Sequence, residues 1–112
     1  MSDKIKKGKE GEELAANFLA EKGYEIVERN YRHKRSEIDL IVRKKNWLIF
    51  VEVKFRRNKN FGAAEESVTP KKQELLRRTA EGYVETKNLH NVSCRFDVVA
   101  VEIENGKYLR HV

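Results

Sequence analysis

Leu14, Ala15, Phe18 and Leu19 recur at helical spacing and Gly23 follows them, so the pattern predicts a helix over residues 8–22 that stops at the glycine. Residues 24–31 alternate loosely and read as a first strand, and residues 31–36 form a basic, polar connection. Two apolar runs come next, residues 37–42 and 47–54. They are separated by Arg43-Lys44-Lys45-Asn46, a break short enough for a hairpin. Residues 56–70 carry asparagine, glycine and many charges, and read as an exposed loop. Thr69-Pro70 supplies an N-cap and a first-turn proline. Leu75, Leu76, Ala80 and Tyr83 then carry a second helix to about residue 87. Residues 92–102 alternate as a strand, Glu104-Asn105-Gly106-Lys107 is a turn, and residues 108–112 close the chain as a short strand. The order αβββαββ describes an α/β domain with a mixed central β-sheet flanked by helices. The second helix is a crossover, which permits the strands on either side of it to pair in parallel.

The chain has 112 residues and shows no repeat and no linker, so a single domain over residues 1–112 is expected. Charged residues are 38% and hydrophobic residues 39%, the latter gathered in periodic runs, which fits a folded domain with a charged surface. A formal net charge of +6 points to a polyanionic partner, with DNA first. The lone cysteine, Cys94, excludes an internal disulfide and suits a reducing, cytoplasmic setting. Its place in an alternating run suggests a small core residue. No run approaches the roughly 18 apolar residues of a membrane span, and the charged N-terminus lacks the apolar stretch of a signal peptide.

Charge changes the picture inside the two apolar runs. Glu37 and Asp39 sit in the first, Glu52 and Lys54 in the second, and unpaired charge is costly to bury. On alternating strands Glu37, Asp39 and Ile41 share one face, and Leu48, Phe50, Glu52 and Lys54 share another. A turn centred on Lys44-Lys45 sets Glu37 against Glu52; a turn centred on Lys45-Asn46 sets Asp39 against Glu52 and Glu37 against Lys54. Both bring the four charges to one face, where opposed Cβ atoms are about 5 Å apart. Two carboxylates that close can share a cation. With no histidine or cysteine nearby in sequence, the set suits Mg2+ (or Mn2+) rather than zinc, with Asp39 and Glu52 as ligands. A metal-bound water could then attack a phosphodiester, and Lys54 could orient it or offset charge on the phosphate. Two accounts need no metal: inward charges that guard an edge strand, or a salt bridge from Lys54 to Glu52 or Asp39. Lys72 and Gln73, in the first turn of the second helix, could reach the site or a phosphate. Arg29, Arg32, Lys34 and Arg35 precede the acids, and Arg56 and Arg57 follow them, so they are candidates to line a nucleic-acid groove. The loop with Phe61 and Gly62 could add DNA contacts. Arg95 and Asp97 read as an internal pair, and the three histidines as surface residues.

Several stretches in order resemble the YraN family of endonuclease-like proteins. They are Gly8-x-x-Gly11-Glu12-x-x-Ala15, Arg29-Asn30-Tyr31-Arg32, Glu37-Ile38-Asp39-Leu40-Ile41, Phe50-Val51-Glu52-Val53-Lys54-Phe55-Arg56, Ser67-Val68-Thr69, Lys72-Gln73 and Arg95-Phe96-Asp97-Val98-Val99. An Asp followed thirteen positions later by Glu-x-Lys is similar to the PD-(D/E)xK core of restriction endonucleases and Holliday-junction resolvases. Ile38 stands where a proline often precedes the Asp. The resemblance implies a restriction endonuclease-like fold and DNA binding. It also implies a first-helix carboxylate role for Glu12, and resolvases of similar shape act as dimers. The expected function is Mg-dependent hydrolysis of DNA, with branched or structured DNA as substrate. Asp39, Glu52, Lys54, Glu12, Glu37 and Gln73 would form the catalytic set. The alternatives are a nucleic-acid-binding module that keeps the fold without catalysis, or an adaptor for a larger repair assembly.

Overall fold

The computed structural model describes residues 3–34, 36–56, 69–104 and 106–111, with side chains for residues 10–34, 36–54 and 69–101. The loop expected after residue 56, with Phe61 and Gly62, lies outside the described residues, as do Arg35 and Arg57. The elements are α1 (Asp3–Glu21), β1 (Glu25–His33), β2 (Ser36–Lys44), β3 (Trp47–Arg56), α2 (Pro70–Thr86), β4 (Ser93–Glu104) and β5 (Gly106–His111). This is the expected order.

α1 begins five residues earlier than the apolar stripe predicts. The stripe marks only the turns that pack. The lysine-rich residues before it are good helix formers, so the helix can continue where no apolar stripe marks it. Gly23, at φ +93°, ends α1 as expected. The amides of Gly23 and Tyr24 return to the carbonyls of Ala20 and Leu19 at 3.0 Å. The Thr69 hydroxyl caps α2 by accepting from the Lys72 amide, and Pro70 opens the first turn. Asn88, at φ 51°, supplies the left-handed residue just beyond the far end.

The five strands lie in the order β1-β2-β3-β4-β5. β1, β2 and β3 form an antiparallel meander, β4 joins β3 in parallel across the α2 crossover, and β5 returns antiparallel. Lys44 pairs with Trp47 and Leu40 with Val51, so the turn is Lys45-Asn46, the second of the two registers. Lys45 takes φ 56° to make it.

The helices cover opposite faces. Ala15, Ala16 and Leu19 of α1 pack on Leu40, Val42, Ile49, Val51, Val99 and Val101. Leu76, Ala80 and Tyr83 of α2 pack on Ile38, Ile41, Leu48 and Phe50. Strict alternation would put Ile38 and Leu40 on one face, yet they pack on opposite faces. The expected sharing of one flat face by Glu37, Asp39 and Ile41 therefore does not hold as a simple alternation. The break falls at Asp39, bracketed by the pairs Arg29–Leu40 and Tyr31–Ile38. Facing it, Asn30 adopts φ 52°. Upstream, β1 already carries an extra residue, Val27, between Ile26 and Glu28.

Cys94 is exposed rather than a core residue. α2 leans on β2, so the same face of β4 receives little cover, and Cys94 and Phe96 remain open there. His33 is half-buried rather than a surface residue, its ring lying against Gly82 of α2. Among the described residues no helix is long and apolar enough to cross a membrane.

Candidate functional site

The β2–β3 ladder closes at Leu40–Val51. One step further the register would set Asp39 opposite Glu52, but there the strands part. The Asp39 side chain fills the gap: its Oδ2 accepts a 2.8 Å hydrogen bond from the Val53 amide. A carboxylate thus takes the role that a strand carbonyl plays elsewhere, and the backbone donor it satisfies fixes its direction.

Glu52 comes from the next strand, its side chain only 14% exposed. Its Oε1 accepts a hydrogen bond from Lys72 Nζ of α2 and lies 3.2 Å from Lys54 Nζ. Its Oε2 is buried and has no hydrogen-bond partner among the described residues. Beside this pair stand two more acids. With the Asn30 amide turned to donate, its nitrogen lies 3.0 Å from Glu37 Oε1 and 3.1 Å from both Glu12 carboxylate oxygens. The left-handed turn of Asn30 places that amide between α1 and β2, tying Glu12 to Glu37.

Burial, and then the charges of Glu12, Glu52 and Glu37, push the Asp39 carboxyl from 3.8 up to about 6, against the pull of the Val53 amide. For Lys72, burial works against the charge. The Glu52 carboxylate outweighs it, and the ammonium is held above its ordinary pKa. A hollow of about 420 Å³ opens in front of the acids, lined by Glu37, Asp39, Glu52, Gln73 and Phe96 among others.

The donor set fits a hard divalent cation. An orphaned buried carboxylate oxygen has lost its hydration with nothing in return, which a cation would repair. Oxygen donors alone favour Mg2+ or Mn2+ over softer metals. Among the described residues no three His, Cys, Asp or Glu side chains converge as a metal cage. The protein would thus offer two carboxylates and leave the rest to water, as Mg2+ commonly requires.

The structure brings Asp39, Glu52, Lys54, Glu37, Lys72 and Gln73 together, with Glu12 at the flank. Of the remaining basic candidates, Arg32 touches an acid of the cluster while Arg29 and Lys34 stand apart from it. Arg29 pairs with Glu13 at 2.8 Å, Arg32 lies 3.4 Å from Glu37, and Lys34 sits in the turn before β2 beside a separate hollow. For Arg56 only the backbone is described. Arg95 clasps Asp97 with two hydrogen bonds, of 2.8 and 2.9 Å, and reaches Tyr24 Oη at 3.2 Å, so the expected internal pair is present. One member escaped sequence reasoning. Asn30 had no separate signal beyond its place in Arg29-Asn30-Tyr31-Arg32. Lys72, expected to reach the site or a phosphate, does reach the site, where it binds Glu52.

An acid cluster at a strand junction, with two lysines on one of its carboxylates, defines an α/β protein whose candidate site is assembled from α1, β1, β2, β3 and the start of α2. The chain belongs to the Uncharacterised protein family UPF0102, whose model matches residues 11–101 and so spans every member of that cluster. A UPF0102 protein of Chloroherpeton thalassium is 43% identical over 107 residues, covering 96% of this chain and 83% of its own. One from Rhodococcus jostii is 43% identical over 106 residues, with 95% and 90% covered. One from Chlorobium limicola is 48% identical over 94 residues, with 84% and 73% covered.

Proposed function

We propose that the chain is a cytoplasmic, Mg-dependent DNA endonuclease of the PD-(D/E)xK kind that hydrolyses phosphodiesters in branched or otherwise structured DNA. The observation that carries this reading is the meeting of Asp39 and Glu52 where β2 and β3 part, with Glu52 Oε2 buried and unpartnered. The resemblance of Asp39 and Glu52-Val53-Lys54 to the nuclease core, and the net charge of +6, point the same way.

Asp39 and Glu52 would hold the cation, which when bound supplies an acidified water and an electrophile for the phosphate. The chain's own residues do the rest. Val53 holds Asp39 in place through its amide. Lys54, near Glu52, is placed to orient the attacking water or to offset charge building on the phosphate. Lys72 can leave Glu52 for the same phosphate, and Gln73 lines the approach. Glu12 and Glu37, tied by Asn30, add negative potential that draws a cation inward. Asp39→Asn should abolish Mg-dependent cleavage of branched DNA while leaving DNA affinity within about twofold, since the change removes a ligand and no phosphate contact. Unchanged cleavage by that variant ends the assignment.

One observation favours a second reading, a nucleic-acid-binding module without catalysis. Lys54 and Lys72 already neutralise Glu52 without a metal. Calorimetry separates the two: Mg2+ binding that disappears in Asp39→Asn and Glu52→Gln supports the nuclease. No binding by the wild type, with or without a DNA duplex, supports the module.

A further inference from the structure

Phe96 is a large apolar side chain, yet 43% of it is open to solvent. Its inner side rests on Phe50, which is only 1% exposed, with ring centroids 5.6 Å apart and planes 35° apart. The buried ring braces the exposed one, much of which stays open. Phe96 borders the same 420 Å³ hollow as Asp39 and Glu52. A second hollow of about 480 Å³ opens on its other side, between α2 and the start of β4. The hollow by the acids is apolar where Ile38, Leu76 and Val98 line it, and carries an amide, Gln73, at its polar end. A braced aromatic ring beside an apolar slot supplies the parts needed to stack a planar heterocycle.

We propose that Phe96 is the floor of a nucleobase subsite, in which one unpaired base of the DNA stacks beside the Asp39–Glu52 pair. The proposal rests on the reading of the acids as the place where the phosphate lies, and it sharpens the substrate class. A base inside a duplex has both faces covered by its neighbours, so only an extruded or unpaired nucleotide can reach the ring. The substrate is then DNA with an unstacked nucleotide at the scissile position, as at a junction, flap or bulge. Uninterrupted duplex is excluded. The cations nearby, Lys54 and Lys72, stand where the backbone of such a nucleotide would pass.

The test uses the full chain and two DNA duplexes, one fully paired and one with a single bulged 2-aminopurine, in EDTA so that binding is read without cleavage. Wild type should bind the bulged duplex more tightly and change the 2-aminopurine emission. Phe96→Leu, which keeps an apolar contact with Phe50 but has no π face, should weaken that binding by about tenfold and lose the emission change. Phe96→Trp should keep both. Equal binding of the bulged duplex by wild type and Phe96→Leu overturns the subsite, as does equal binding of both duplexes by wild type. Far-UV circular dichroism confirms that the variants are folded. Phe96-dependent binding without Mg-dependent cleavage supports the subsite and overturns hydrolysis alone. Cleavage with Phe96-independent binding overturns the subsite alone.

Discussion

Asp39→Asn should make the metal-free protein more stable at neutral pH, because the wild-type carboxylate is held charged in a buried place and, secondly, among three other acids. Its carboxyl titrates at about 6 in the fold against an ordinary value of 3.8, chiefly through burial. At about 1.4 kcal/mol per pH unit, that gap corresponds to about 3 kcal/mol of destabilisation above pH 6. Water in the adjoining hollow relaxes the charge, so about 2 kcal/mol is the expected size. The sign follows from proton uptake. Above pH 6 the carboxylate is charged in both states, and the fold bears the cost. As pH falls from 6 towards 3.8 the folded chain takes up a proton that the unfolded chain does not, and wild-type stability rises. Below 3.8 both are protonated and the cost is gone. Asparagine has no such proton, and its side-chain oxygen can still accept from Val53. Urea unfolding in EDTA, followed by Trp47 emission, should therefore give the variant its full advantage at pH 8 and about half of it at pH 5. Adding Mg2+ at pH 8 should raise wild-type stability and leave the variant unmoved. A variant less stable than wild type at pH 8, or a difference that ignores pH, would refute the argument that Asp39 is an electrostatically strained acid.

Arg95→Ala should cost about 2 kcal/mol in the same assay, since it removes the two-point clasp on Asp97, which is 7% exposed; Asp97→Asn in the same chain should recover part of the loss. Thr69→Ala removes the hydroxyl that caps α2 and should cost about 1 kcal/mol, read as a lower denaturation midpoint at unchanged slope. Gly82→Ala gains about 1 kcal/mol of helix propensity but sets a Cβ 3.2 Å from the His33 ring, so the full gain should show only in a His33→Ala background. An equal gain in both backgrounds would mean the ring yields freely.

The periodicity of Leu14 to Leu19 and of Leu75 to Tyr83, together with the break at Arg43 to Asn46, made the order of elements legible. Local signals set those elements, and the structure keeps them. The hairpin register stayed open between two choices, because a polar four-residue break does not reveal which residue takes the left-handed conformation. Lys45 does, and no side-chain preference announces it. The candidate acids were legible because charge in an apolar run is anomalous wherever the strand lies. The parting of the strands at Asp39 was not, since it shows only once the strands are set side by side. Nor was the hold of Lys72 on Glu52, twenty positions away in sequence. The openness of Cys94 and Phe96 depends on how far α2 extends across the sheet, a property of tertiary packing that alternation along β4 cannot encode.

The irregularities of β1 also bear on how molecules of this protein meet one another. Among the described residues β1 is an outermost strand, with one row of its backbone groups facing no neighbouring strand. A long, flat row of that kind is a template on which another chain can add a strand, the first step towards aggregation. Here the row is interrupted twice, by the extra residue at Val27 and by the left-handed Asn30. Each interruption twists the margin and spoils the spacing that an incoming strand would need. The Asn30 geometry that ties Glu12 to Glu37 therefore also makes this edge a poor template for strand addition. Replacing this asparagine with a β-branched residue would disturb the acid cluster and favour self-association at once.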